Sequence, residues 1–561
     1  MTAWGPSFRG EETVFRLWAP AVETVLLELA DAGPLAMTKS GDGWWTSACT
    51  AGIGTRYRFR IGGQSVPDPA SRRQSGDVHG WSVVERSAYR WRNPARTSRP
   101  WEETVLYELH AGLFGGFRGV VGELDALRDL GITAIELMPI GDFPGARNWG
   151  YDGVLPYAPD EAYGTPDDLR FLIDEAHGRG LMVFLDVVYN HFGPDGNYLS
   201  LYAPHFFRGD LKTPWGDAID FRQEPVRRFF IDNALYWLGE FRFDGLRFDA
   251  VHAMRDAGFL EAMGREIAAK MPGRHLVLEN EDNDARLLDR YGAQWNDDFH
   301  NTLHVLLTGE TEGYYADFAD AAAEKLARLL KEGFAFQGER MGHTGRARGT
   351  ASAHLPPTAF VSFLQNHDQT GNRALGERLI ALADERALQA AAALQLLAPQ
   401  IPLLFMGEER GAREPFLFFT DHNPALAEAV RQGRAAEFAK FPAFASGEAE
   451  MPDPNAPQTY ARCRLSQGDP AWRDFYRALL QLRRRAIVPR LRGTTAISAT
   501  VLAAKAVAAV WRLGDGARLS LVVNLSQHAV QAPLHRIPPL YGSIEGDMVP
   551  AFSTVAWIEG P

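Results

Sequence analysis

Apolar and polar positions follow three regimes along the chain. Up to about residue 92, short aromatic and β-branched runs alternate with polar residues: TVFRLWAP, TVLLEL, GWWTSAC and TRYRFRIG. Gly, Pro and Asp punctuate them at intervals that suit a β-sandwich. The polar, proline-bearing NPARTSRP (93–100) reads as a linker. From Val105, short apolar runs alternate with longer stretches of i, i+3, i+4 periodicity. The runs are VLYELH (105–110), AIELMPI (134–140), MVFLDVV (182–188), GLRFDAV (245–251), HLVLEN (275–280), AQWNDDF (293–299), FVSFLQNHD (360–368) and PLLFMGEE (402–409). The periodic stretches include PDDLRFLIDEAHGRG, PVRRFFIDNALYWLGEF, a weaker ARLLDRYG, ADAAAEKLARLLKEG and a last DPAWRDFYRALLQLRRRA (469–486). Pro or Asp near their starts and Gly after their ends mark helix limits. Eight strands alternating with eight helices predict an α/β fold, an enlarged (β/α)8 TIM barrel. The surplus length falls after strand three (about 191–222) and after strands six and eight, on the face where such barrels carry their active sites. After Pro489 the runs TTAISAT, AVAAVWRL, LSLVVNLS, AVQAPL and FSTVAWIEG are β-like again. The expected organisation is an N-terminal β-sandwich over 1–92, a barrel over 93–488 and a C-terminal β domain over 489–561.

Length and composition agree with several domains or one barrel with attachments. The chain has 561 residues, 46% of them apolar and 23% charged, too apolar for disorder. Its net charge of −12 disfavours nucleic acid or an anionic membrane as the main partner and leaves a neutral substrate open. Two cysteines, Cys49 and Cys463, build neither a disulfide framework nor a Cys-based zinc site. The start MTAWGPSFRG has no basic residues leading into an apolar run, and VLAAKAVAAVW is too short to span a membrane, so a cytoplasmic location is expected. The aromatic load (14 Trp, 16 Tyr, 33 Phe) suits a large core, and also platforms for sugar rings. Trp44, Trp45 and Trp81 are open to both readings. The LRRRA run near 482 reads as a solvated helix face, and GLFGGFRG (112–119), which lacks the Lys-Ser/Thr of a phosphate loop, as a turn.

Polar clusters stand at the C-terminal ends of four expected strands: Asp186 to His191 after the third, Arg247, Asp249 and His252 after the fourth, Glu279 and Asn280 after the fifth, Asn366 to Asp368 after the seventh. A closed barrel brings these ends to one mouth, so Asp249, Glu279 and Asp368 converge there. Converging carboxylates suit glycoside hydrolysis. Residues i and i+2 of a strand share a face, so Arg247 can meet Asp249 and favour its anionic, nucleophilic form. Glu279, after the apolar HLVL, can have a raised pKa and act as the acid. Asp368 beside His367 can hold hydroxyls and stabilise positive charge on the ring. The bland alternatives are ion pairs or metal ligands on an ordinary barrel. An enolase-type magnesium site would also want a strand-end Lys, which these clusters lack.

The clusters resemble the conserved regions of the α-amylase family of glycoside hydrolases: DVVYNH the first, GLRFDAVH the second, LEN the third and FLQNHD the fourth, in order and at barrel-compatible spacing. The resemblance implies a retaining mechanism with Asp249 as nucleophile, Glu279 as general acid/base and Asp368 as transition-state stabiliser. It puts Arg247, His191 and His367 around the sugar at the cleavage point (subsite −1). Tyr151 of WGYD would be a stacking platform there, and Asp152 its partner. His252 matches a basic group on the leaving-group side. The β-rich start is similar to the carbohydrate-binding-module-like sandwich of branching and debranching members. Asn190 stands where secreted amylases often have a calcium ligand, but branching and trehalose-forming relatives usually lack that ion, and neither metal nor cofactor is expected here. Retention requires the two acting carboxyls about 5–5.5 Å apart.

Longer segments, IELMPIGDFPGARNWGYDGVLPYAP, LENEDND, FLQNHDQTGNRALGERL and PLLFMGEERGAREPFLFFTDH, resemble one subgroup within the family. FLFFTDH followed by AEAVRQGRAAEF is the most telling part, and Arg410 stands where the subgroup would have Trp. The subgroup cleaves the α-1,4 bond next to a terminal α,α-trehalose unit. The implied substrate is a maltooligosyltrehalose, a trehalose-capped α-1,4-glucan, with a trehalose-synthesising enzyme as functional partner. Glu281, Trp295, Asp297 and His252 are candidates for the trehalose-side wall by position. Trp295 as a core aromatic and Glu281 as a solvated charge are the alternatives. The rival functions are 1,4-α-glucan branching, debranching hydrolysis and, from a different class, a non-catalytic glycan-binding barrel.

Overall fold

The computed structural model describes residues 4–93, 98–213, 216–342, 344–438, 450–532 and 537–560. Part of the expected linker (94–97) and the end of AVQAPL (533–534) lie outside them.

All eight expected runs form one closed parallel barrel: β1 Leu106–Leu109, β2 Ala134–Leu137, β3 Met182–Val187, β4 Gly245–Phe248, β5 His275–Leu278, β6 Gly292–Trp295, β7 Phe360–Ser362 and β8 Ile401–Phe405. β8 closes on β1 with Leu106 opposite Leu403. The strand alternation makes two layers inside. Leu106, Ala134, Phe184, Val277, Ala293, Trp295, Val361 and Leu403 belong to one apolar floor. Two residues further along, on the same inward face, come Glu108, Glu136, Asp186, Arg247 and Glu279. Gly245 makes room in the floor: a Cβ there would lie 2.2 Å from Phe184 Cε1.

Helices pack outside. Pro166–Gly178 starts on a capping box between Thr165 and Asp168, with Pro166 in its first turn. The weaker ARLLDRYG is helical as expected, a 3-10 turn Ala285–Leu287 running into one α turn, Leu288–Tyr291. One expectation fails here: the end of AQWNDDF is not strand but the start of a helix, Asp297–Thr308. Residues 298–307 of that helix are all buried, so its polar positions, among them Asp298, His300, Asn301 and His304, do not mark a solvent face. GLFGGFRG is a 3-10 turn leading into a short helix, Gly116–Val121. In LRRRA, Arg483 is buried rather than solvated; its guanidinium donates to the carbonyls of Leu396, Ala398 and Gln400.

The N-terminal strands form a four-stranded and a six-stranded sheet, whose cores meet through Phe15 and Tyr57 at 4.7 Å. Trp4 joins this unit to the barrel: it packs on Phe206 of the insertion after β3 and on Phe229 of helix Glu224–Glu240, and donates to Pro225 O. Trp44 packs on Trp4, Trp45 is buried and donates to Ala19 O, and Trp81 lies under Arg58. The insertion carries an antiparallel pair, Phe207–Thr213 with Gly216–Ile219.

The C-terminal strands Thr495–Ala503, Ala506–Arg512, Arg518–Asn524 and Ser553–Glu559 form an antiparallel sheet against the barrel helices. Trp511 donates to Leu330 O and Lys505 to Leu306 O, both in last turns of helices, where carbonyls lack intrahelical donors. Both cysteines are free, and among the described residues no helix is long and apolar enough to cross a membrane.

Candidate active site

The charged layer of the barrel becomes the site at its C-terminal mouth. Arg247, 1% exposed, is its centre. Its Nη1 donates to Asp186 Oδ2 (2.6 Å) and Asp249 Oδ1 (2.7 Å), and its Nη2 lies 3.8 Å from Glu279 Oε2. One guanidinium therefore touches three carboxylates from three strands. Burial works against the charge on Arg247, and the surrounding anions, Asp186 foremost, outweigh it, so its pKa is raised well above the usual value.

Asp249 ends β4 and is also held by Asn190, whose Nδ2 donates to its Oδ2 (2.7 Å) and its carbonyl (2.9 Å). That amide is committed to Asp249, which is the task the structure gives the residue considered as a calcium ligand. Ala250, the next residue, has φ +41°, a left-handed conformation that non-glycine residues adopt at a cost. The turn lets Ala250 N–H donate to Glu279 Oε2 (2.5 Å) and Val251 N–H to Glu279 O (3.0 Å). The two carboxylates are thus joined through backbone as well as through Arg247.

Burial raises the Glu279 pKa, Arg247 opposes the shift, and the charge of Asp249 adds to it. Asp368, on the short helix His367–Gly371, is raised by burial against the pull of His367 and Arg247. Asp186 reaches about 6, again through burial. Asp297 is pushed up to about 8 by burial and then by the nearby charge of Glu279; Gln369 Nε2 donates to it at 3.3 Å. Asp297 therefore stands beside Glu279 and Asp368, within the acidic cluster.

The aromatic side is built by WGYD. Tyr151 donates to Asp186 Oδ2 (2.5 Å) and stacks on His367 at 4.9 Å between centroids. Gly150 bends the chain at φ +103°, where a Cβ would fall 2.0 Å from Pro139 O. Asp152 accepts from Asn148 (2.6 Å) and lies 3.4 Å from His422 Nε2. His422 ends FLFFTDH, whose Phe416 stacks on Trp149 at 5.2 Å and whose Leu417 O accepts from Trp149 Nε1. The segment most telling for the subgroup is therefore the backing of the platform. Arg410, in contrast, lies away from it, paired with Glu409 and Glu123.

Two expected sugar contacts are placed differently. Trp295 is 1% exposed and lies in the floor, 4.1 Å beneath the Arg247 guanidinium. It supports the arginine from below and does not line a wall, which corrects its reading as a trehalose-side residue. His191 has both ring nitrogens against protein oxygens, Asn190 Oδ1 and Tyr151 O (3.0 Å), so it props the two residues that frame the site. His252 and Glu281 stay at the rim as a pair, Nε2 to Oε2 3.5 Å, with Glu281 N–H donating to His252 Nδ1.

Several residues were not singled out from sequence. Glu108 and Glu136 lie inside otherwise apolar strands; the visible signal was an acid at an inward-facing position. Arg348, from the segment between helix Ala322–Glu332 and β7, donates to Glu281 O (2.9 Å) and pairs with Asp298 (2.8 Å), which brings a cation to the rim. Tyr314 stands exposed near Asp368, Glu281 and Glu437. Neither had a motif around it.

Comparison with known proteins agrees with this architecture. Residues 72–202 match the family described as alpha amylase, catalytic domain, and residues 495–542 a domain of unknown function, DUF3459. A malto-oligosyltrehalose trehalohydrolase from Saccharolobus solfataricus is 39% identical, covering 84% of this chain and 85% of the relative. One from Deinococcus radiodurans is 40% identical, with 85% and 81% covered. The crystal structure of a candidate alpha amylase from Salmonella typhimurium superposes over the whole of both chains with TM-score 0.94 and 44% identity. Kinship of this extent, on a barrel whose mouth carries three linked carboxylates, identifies the class: the chain belongs to the malto-oligosyltrehalose trehalohydrolase family, glycoside hydrolases of the α-amylase type.

Proposed function

We propose that the protein hydrolyses the α-1,4 bond next to the terminal trehalose of maltooligosyltrehalose, releasing trehalose and a shortened maltooligosaccharide. The glucan lies in the minus subsites against Tyr151, and the trehalose on the plus side toward His252, Glu281 and Asp297. Asp249 attacks the anomeric carbon while Glu279 gives its proton to the departing 4-oxygen of trehalose, so the C1–O4 bond breaks as a glucosyl ester forms. Asp368 offsets the positive charge that develops on the ring. Glu279, now a carboxylate, takes a proton from water; the resulting hydroxyl attacks C1, frees Asp249 and leaves the new reducing end in the α configuration. The observation that carries this chemistry is the contact of one guanidinium, Arg247, with both Asp249 and Glu279. The buried, raised Glu279 suits the acid, and the arginine-paired Asp249 suits the nucleophile.

The trehalose-bearing substrate is supported by the kinship reported above and by the packing of FLFFTDH behind WGYD. An enzyme that converts the reducing end of an α-1,4-glucan into a trehalose unit must precede this one. Two incubations test the reading. Maltooligosyltrehalose should yield free trehalose, and amylose should gain no α-1,6 branches. Branch formation without trehalose release would assign the site to a branching enzyme, and turnover of pullulan alone to a debranching one. Asp249→Ala should abolish turnover by several orders of magnitude with the fold intact; a variant as active as the parent removes Asp249 from the mechanism.

A further inference from the structure

His367 is gripped twice by one carboxylate from the far side of the chain. Its backbone N–H donates to Glu108 Oε2 (2.9 Å) and its Nδ1–H to Glu108 Oε1 (2.5 Å). Glu108 is on β1 and is 1% exposed. The ring is stacked on Tyr151, and Trp149 meets it edge-on at 5.6 Å. Among the described residues, its Nε2 makes no hydrogen bond. The imidazole therefore has one orientation, with one nitrogen committed to Glu108 and the other left for a ligand.

The charges around the ring favour its cationic form. Asp368 on the same helix and Asp186 on β3 are acidic neighbours, Arg247 on β4 opposes, and His110 at the end of β1 is held neutral by burial, with a pKa of about 4. Burial works against a charge on His367, and Glu108 outweighs it, so the pKa is raised. Glu136, opposite Glu108 in the β1–β2 pairing, has neither oxygen hydrogen-bonded. Burial and the charge of Glu108 push its pKa well up, which favours its neutral form beside the imidazole.

We propose that Glu108 is a positioning residue of the hydrolytic site: its double grip holds His367 as an imidazolium and presents the Nε2–H to a hydroxyl of the sugar at the cleavage point. A charged donor binds a hydroxyl oxygen more strongly than a neutral one. The inference rests on the hydrolase reading for its kinetic arm only.

Glu108→Gln tests it with little change of shape. The amide keeps one acceptor for the backbone N–H but turns an NH2 group toward Nδ1, which must then be unprotonated. In 15N-histidine spectra, with His367→Asn identifying the resonance, the wild-type ring should keep both N–H protons at pH 6.5 and titrate above it. In Glu108→Gln it should titrate below. Equal titration in the two proteins, or a ring already neutral at pH 6 in the wild type, overturns the proposal. With substrate, Glu108→Gln should lower kcat/KM about 10- to 100-fold. The double variant with His367→Asn should be no slower than His367→Asn alone. Additive losses would mean that Glu108 does not act through His367. The spectra need no substrate, so failure to hydrolyse any glucan would reject the functional reading while the titration still decides this one.

Discussion

Arg247 Nη1 donates to Asp249 Oδ1 over 2.7 Å, between two residues that share one face at the end of β4. The pair is buried, and the same nitrogen also serves Asp186. Removing the guanidinium leaves both acids without their cation. Arg247→Ala should cost about 3–5 kcal/mol of stability, read as a fall in urea midpoint. Arg247→Lys should keep much of that stability but lose kcat/KM by about 10²-fold or more, because a point charge cannot serve several carboxylates in fixed directions. An alanine variant with unchanged midpoint would contradict this account.

Asp297 makes stability depend on pH. Folded, it keeps its proton to about pH 8; unfolded, it releases it near the ordinary aspartate value of about 4. Between these limits the folded chain binds more protons than the unfolded one, so stability falls as pH rises through the window. Asp297→Asn removes this contribution. Its Tm should decline less between pH 5 and pH 8 than that of the parent. Parallel Tm-versus-pH curves for the two proteins would exclude Asp297 as a source.

Gly150 fixes the approach of WGYD to β2. With φ at +103° and Pro139 O in the way of any Cβ, Gly150→Ala must move the loop. The platform residue Tyr151 moves with it. Expected are a loss of at least about 1 kcal/mol in chemical denaturation and a lower kcat/KM. Wild-type kinetics in this variant would show that the platform position is not critical.

Tyr151 has two separable contacts, the ring on His367 and the hydroxyl on Asp186. Tyr151→Phe keeps the first and should cost about 10- to 100-fold in kcat/KM, the worth of one hydrogen bond to a charged group. Tyr151→Ala loses both, and should also raise KM for every glucan tested. Equal effects of the two substitutions would mean that the ring contributes nothing.

The barrel was legible because a fully buried parallel strand reads as a short apolar run, and eight such runs alternate with periodic stretches. The converging acids were legible for the same reason: Asp249, Glu279 and Asp368 follow runs whose ends must share one mouth. What was hidden had opposite signals. Helix Asp297–Thr308 is buried on every side, so its polar residues, such as His300 and His304, do not mark a solvent face, and its first turn reads on from the strand run. The antiparallel pair Gly141–Asp142 with Leu155–Pro159 interrupts a Gly- and Pro-rich segment that looks like plain loop. Trp295 has the residue type of a sugar platform, and only its place under Arg247 assigns it to the floor. Arg348 reaches the rim through the folding of a long loop over its neighbour, with Gly349 N–H donating to Asp282 O, which no local pattern encodes.

The C-terminal sheet supplies the donors that finish two barrel helices, Lys505 for Leu306 O and Trp511 for Leu330 O. A shortened enzyme engineered to stop at the barrel would leave those helix ends frayed, one closing the helix that Asp297 begins and the other leading into the segment that delivers Arg348. Anyone trimming this protein for expression or for fusion to another catalyst should therefore retain its tail, which behaves as a brace for the working parts rather than as a detachable accessory.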